Sequence, residues 1–135
     1  MPVIEGTTRV KLAVGEYDFA IDGGLVSSIT LRGIGALGAA LPIGAVITGG
    51  YIDVITQLTG GASTIAIQSE AAGDIVAATA VASWTAGPKN ILPADTSGSV
   101  TASTRAKTTA ARNLVVVIAG AALTAGKFRV AVEYV

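Results

Sequence analysis

The chain of 135 residues contains no cysteine and no histidine. Without cysteine it has neither disulfides nor a thiolate nucleophile, and composition says nothing of its redox compartment. Without histidine it also lacks the usual zinc ligands, the Ser-His and Cys-His nucleophile pairs, and the side chain best matched to proton transfer near pH 7. The two absences together point away from an enzyme. A Ser-Lys pair stays formally open, but no spacing supports it.

Aromatic residues make up 4% of the chain and charged residues 13%, nine basic against nine acidic. Six rings (Tyr17, Phe19, Tyr51, Trp84, Phe128 and Tyr134) are too few for the stacking platforms that nucleic acids use, and the basic residues form no dense patch beside them. The longest weakly polar runs, 33–47 and 114–126, are interrupted by glycine and fall short of the roughly 20 residues that cross a bilayer. The beginning, MPVIEGTTRVKLAVG, has no long apolar h-region, so no signal peptide is expected and the protein should remain where it is made.

What the chain does contain is small and β-branched: 25 alanines, 17 glycines, and 43 residues of Val, Ile and Thr within a 51% hydrophobic composition. Such side chains suit a pleated, half-buried surface better than a helix. A net charge of zero leaves little self-repulsion, so an apolar surface of this kind is expected to be buried in an oligomer or assembly. The length fits a single domain spanning 1–135, with no cofactor needed to hold it together.

Period-two alternation marks the strands. In TTRVKLAVG, Val10, Leu12 and Val14 alternate with Arg9, Lys11 and Ala13, which predicts a strand buried on the Val10–Leu12–Val14 side. SSITLRG reads as a second strand, and GEYDFAIDGG as a turn-rich link with a short strand near 17–21. Gly49 and Gly50 suggest a bulge or bend before a strand at 51–58, and the stretch 51–69 reads as a β-hairpin. GDIVAATAVASWTAG is expected to be a strand, with Trp84 a buried anchor. A long loop follows and re-enters the sheet near 99–109, and NLVVVIAG and KFRVAVEYV supply the last two strands. Seven or eight short strands without long helices predict an all-β protein, an antiparallel β-sandwich or jelly roll.

Three motifs invite chemistry. Gly33, Gly35 and Gly38 spell G-x-G-x-x-G, and Asp53 stands 20 residues beyond Gly33, as in a dinucleotide-binding loop. Pro42 and Gly44 follow too soon for the required helix, so the stretch predicts a compact loop and a proline-glycine turn; Gly35 and Gly38 become candidates for close contact with a neighbouring subunit. Glu16, Asp18 and Asp22 form the densest carboxylate cluster, but their spacing does not match an EF-hand ladder, which favours a solvated turn over a calcium site. Arg105, Lys107 and Arg112 lie in a Ser/Thr-rich stretch that reads first as an exposed strand or loop and that could also meet phosphates or an acidic protein surface. Residues 1–74 hold seven acidic and three basic side chains and residues 75–135 two acidic and six basic, a division that would orient subunits against one another or on a carrier.

The words LPIGAVITGGYIDV, GGASTIAIQS and LTAGKFRVAVEYV together resemble small structural proteins of tailed bacteriophages, over about 28–86 and 113–135. The resemblance implies a capsid decoration (cement) protein that binds the major capsid protein on the outside of the assembled head, commonly as a homotrimer made in the host cytoplasm. It transfers no catalytic residues. Pro2, Val3 and Ile4, in an N-terminal arm or first strand spanning 1–14, are candidates for docking on an exposed sheet edge. A phage tail or fibre component is the nearest alternative. A carbohydrate- or receptor-binding module is an alternative of another class, and it predicts that Tyr51 and Trp84 lie exposed around a groove. No nucleic acid, membrane or small-molecule partner is expected.

Overall fold

The computed structural model describes residues 10–35, 38–90 and 106–135. Their strands are β1 (Lys11–Asp18), β2 (Ser27–Thr30), β3 (Ala40–Leu41), β4 (Ile47–Gly60), β5 (Thr64–Gln68), β6 (Val76–Ala80), β7 (Gly87–Asn90), β8 (Arg112–Asn113), β9 (Val115–Ala119) and β10 (Leu123–Tyr134). One helical turn, α1 (Phe19–Asp22), follows β1, and a 3-10 turn covers Val81–Ser83. All strand pairings are antiparallel, in two four-stranded sheets ordered β1-β10-β4-β7 and β2-β9-β5-β6 and a two-stranded sheet β3-β8. The all-β expectation holds, with ten strands rather than seven or eight.

The inward faces of the two large sheets share one hydrophobic cluster. Ala13 and Tyr17 on β1, Ile52 and Val54 on β4, and Phe128, Val130 and Val132 on β10 face Ile65 and Ile67 on β5 and Val116 and Ile118 on β9. Phe128 lies between Tyr17 (ring centroids 5.4 Å apart) and Trp84 (5.2 Å), within the range in which aromatic pairs attract. With only six rings in the chain, this trio supplies the bulk that Ala and Val cannot. Close sheet approach needs glycine at Gly15, where a Cβ would stand 2.7 Å from the Leu31 Cβ.

Three local expectations change, and a fourth lies largely outside the described residues. Residues 51–69 are not a hairpin: β4 pairs with β10 and β7, β5 pairs with β9 and β6, and the chain crosses between sheets at Gly60–Ser63. Ser63 fixes that crossing from inside the protein by donating to the Ala121 and Ala122 carbonyls at 2.8 and 3.2 Å, so Gly60 and Gly61, which would close a hairpin turn, serve a change of layer instead. The expected strand near 17–21 is the end of β1 followed by α1, because Asp18 accepts from the Ala20 N–H and starts a helical turn. The expected strand through 73–87 stops at Ala80. The expected return near 99–109 lies outside the described residues up to 105; beyond them Lys107 forms an isolated bridge with Val46, and Thr108 is buried. The glycine-rich stretch forms no helix in its described part. Pro42–Ala45 is a turn with Gly44 at φ +79, pinned by Thr108, whose Oγ1 accepts from the Ala45 N–H (2.9 Å) and donates to the Pro42 carbonyl (2.6 Å).

Candidate functional site

The burial phase of β1 is the reverse of the one expected from its sequence. Tyr17 is the bulkiest side chain on the strand, and its stacking on Phe128 draws Ala13 and Gly15 inward with it. Val10 and Leu12 are therefore left 58% and 47% exposed, and Val14 half-buried, on the outer face of the first sheet. Cross-strand register aligns Val14 with Ala131 and Tyr51, and two residues further along aligns Glu16 with Arg129 and Asp53. An apolar row thus runs beside an ionic row. A cavity of about 260 Å³ opens over the apolar row, lined by Leu12, Val14, Ile34, Tyr51 and the flank of Arg129.

The carboxylate cluster of the sequence lies at the ionic end, but each member already has cationic partners. Glu16 is 3.3 Å from Arg129, 3.5 Å from Lys127 and 3.7 Å from Arg32. Asp22 takes a two-pronged contact from Arg32 at 3.1 Å on each oxygen, and Asp18 lies 3.9 Å from Lys127. Three carboxylates facing three cations make a neutral network, and among the described residues no three Asp or Glu side chains converge as they would around a metal ion. Burial pushes the Asp22 carboxyl up, but hydrogen bonds from Arg32 and the Asp18 amide, with the Arg32 charge, outweigh it and hold Asp22 below its ordinary value. Tyr17 donates its hydroxyl to the Gly23 carbonyl at 2.6 Å, and its pKa is pushed up to about 12 by burial first and by Asp22 and Asp18 next.

The interface candidates fare unevenly. Pro2, Val3, Ile4 and Arg105 lie outside the described residues. Gly35 is exposed at φ +57 and follows Ile34 of the cavity wall; Gly38 is exposed, and its carbonyl accepts from the Val14 N–H at 3.0 Å. Both therefore flank β1 beside the apolar row. Lys107 is exposed, whereas Arg112 is bound to Glu70 at 2.6 Å, where Thr109 also donates. Those contacts, from Arg112 first and then Thr109, hold Glu70 down to about 2. Lys107 and Arg112 thus form no shared basic strip. Reasoning from sequence overlooked Arg32, Lys127 and Arg129 as partners of the carboxylates. It also missed the outward face of Tyr51, which the alternation with inward Ile52 and Val54 already implied.

Trp84 is 3% exposed and Tyr51 52% exposed, so the two rings do not flank a groove and the carbohydrate-binding alternative loses its predicted feature. No protein-family model matches the chain, and no curated protein gives a significant match. Solved structures do. A chain of the cyanophage Pam1 capsid asymmetric unit superposes with a TM-score of 0.61 at 20% identity, covering 99% of this chain and 91% of that one. A chain of the capsid of Ralstonia phage GP4 gives 0.55 at 19% identity, covering 99% and 88%. A chain of the acid-stable capsid of the Helicobacter pylori bacteriophage KHP30 gives 0.56 at 15% identity, covering 93% and 86%. At these identities the likeness is one of fold, held over nearly the whole length of each chain.

Proposed function

We propose that the protein is a non-enzymatic structural component of a tailed-phage virion, and that it decorates the capsid by seating the outer face of its first sheet on the major capsid protein. The observation that carries this reading is the agreement in fold, almost end to end, with three chains of similar size that belong to phage capsids. Strand order adds support: numbering the eight strands of the two large sheets along the chain gives 1-8-3-6 and 2-7-4-5, the interlocked Greek keys of a jelly roll. The seat itself is the row of Leu12, Val14 and Tyr51, rimmed by charges that would fix orientation more than strength.

Many weak seats repeated over a shell reinforce it without any single strong site. In the fuller form of the proposal the copies act as homotrimers on the capsid exterior, and residues 1–8, which lie outside the described residues, contribute to docking on a shell sheet edge.

Co-sedimentation of the purified protein with empty phage heads tests the reading. Capture by the heads is expected, with loss of at least about tenfold in affinity for Leu12→Lys or Tyr51→Lys at unchanged melting temperature. Deleting residues 1–8 should also weaken capture, and the mass of the free protein reports the trimer. Failure of the wild type to bind heads, with formation of tubes or rings instead, would transfer the protein to the tail.

A further inference from the structure

The charges on the outer face of the first sheet do not all cancel. Arg32, Lys127 and Arg129 are taken by Glu16, Asp18 and Asp22. Two further carboxylates of that face, Asp53 on β4 and Glu133 on β10, make no ion pair among the described residues. Lys11, whose register neighbour is Tyr134, shares the phase of inward Ala13 and Tyr17 and makes none either.

Register places the two acids on opposite sides of the apolar row. Ala131 on β10 lies opposite Tyr51 on β4; two residues one way stand Arg129 and Asp53, and two residues the other way Glu133 and Gly49. The Glu133 carboxylate lies over the outer face at Gly49, where a Cβ would stand 3.8 Å from its Oε2. Asp53 also lines the cavity of about 260 Å³ beside Leu12, Val14, Ile34 and Tyr51. Four residues along a strand at about 3.3 Å each, and one strand spacing of about 4.8 Å, put the two acids about 14 Å apart. That exceeds the Debye length of about 8 Å at physiological ionic strength. Each acts as a separate charge, and one cation cannot serve both.

We infer that the partner seated on this face presents two basic side chains, lysine or arginine, one on either side of an apolar one. The inference rests on the docking face proposed above and adds the chemistry of what that face receives. A wholly apolar partner would strip water from Asp53, a half-buried carboxylate without a counter-ion, and leave it uncompensated. An acidic partner would meet two like charges. A basic side chain gains twice at Asp53. Its approach passes the ring of Tyr51, 52% exposed and two residues (about 7 Å) away on the same face, which attracts a cation while the aliphatic stem lies along the apolar row. At Glu133, exposed on the rim, pairing sets encounter rate and orientation more than strength.

Amide NMR of the purified chain tests the chemistry without phage heads. The probe is an extended five-residue peptide with lysine at both ends, about 13 Å apart, and leucine in the middle; its twin carries glutamate at both ends. Titration to about 10 mM should move Tyr51, Asp53, Ala131 and Glu133 with the lysine peptide alone. Asp53→Asn and Glu133→Gln should each weaken that response about two- to fivefold, at unchanged melting temperature. No response to the lysine peptide, or an equal response to both peptides, overturns the inference. With phage heads, the same variants should weaken capture by the same factor at about 50 mM salt and converge with the wild type at about 500 mM. Capture indifferent to both variants and to salt overturns the basic partner and leaves the seat of Leu12, Val14 and Tyr51 in place. Absence of capture with the peptide response intact removes the capsid reading and upholds the basic partner.

Discussion

Replacing Tyr17 by Phe removes one oxygen from the most enclosed part of the first sheet. The ring of Tyr17 is fully buried against Phe128, so the stack survives the change; what disappears is the hydroxyl that donates to the Gly23 carbonyl at 2.6 Å. The Gly23 carbonyl is only partly buried, so losing this hydrogen bond costs about 0.5–1.5 kcal/mol, which for a chain of this length corresponds to a fall in melting temperature of about 2–6 °C at pH 7. The same hydroxyl makes stability depend on pH at the alkaline end. Its folded pKa of about 12 exceeds the ordinary 10.0, so between those values the unfolded chain has released a proton that the folded chain still holds. Stability is full below pH 10 and falls as pH rises toward 12, by about 2–3 kcal/mol at 1.36 kcal/mol per pH unit. The Phe variant lacks this decline. Urea melts of both proteins at pH 7, 10 and 11.5 are therefore expected to show the wild type ahead at pH 7 and its lead gone at pH 11.5. Equal stability at pH 7 together with parallel alkaline slopes would refute the role assigned to the Tyr17 hydroxyl.

Phe128→Ala empties the centre of the aromatic trio and should cost about 3–5 kcal/mol in denaturant melts, with a shift in Trp84 fluorescence as its neighbour is lost. Glu70→Gln breaks the contact with Arg112 and Thr109; because the Glu70 carboxyl is held down to about 2 from 4.5, the wild type should lose stability as pH falls through that window and the variant should not, which acid titration followed by circular dichroism will measure. Gly15→Ala places a Cβ 2.7 Å from that of Leu31, and a loss of about 1–3 kcal/mol is expected in thermal melts.

The strands were legible in the sequence where side chains of unequal size alternate. KFRVAVEYV is the clearest case, with Phe128, Val130 and Val132 buried as the period predicts. β1 was legible as a strand but not as to its face, because each face mixes apolar and charged residues and the phase is set by Tyr17, whose partner Phe128 lies 111 residues away in the chain. The change of sheet at Gly60–Ser63 was hidden for a similar reason. Nothing in GGAS separates a tight turn from a crossing until the Ala121 and Ala122 carbonyls arrive to receive Ser63. The outward row of Leu12 and Val14 was hidden by the same error, since both were expected inside. The carboxylate cluster was found at once, yet Arg32, Lys127 and Arg129, which neutralise it, come from segments that only the fold brings near.

The strand order of the first sheet also bears on how the protein is made. β10 lies between β1 and β4, so the first and last strands of the fold are hydrogen-bonded neighbours along eight residue pairs. A ribosome delivers β10 after every other strand, and until then β1 and β4 have no backbone between them. The sheet cannot close before β10 has been made, and its long-range pairing makes for slow folding. Nascent chains will therefore expose the Val/Ile strands of a half-built sandwich until β10 emerges to join β1 to β4.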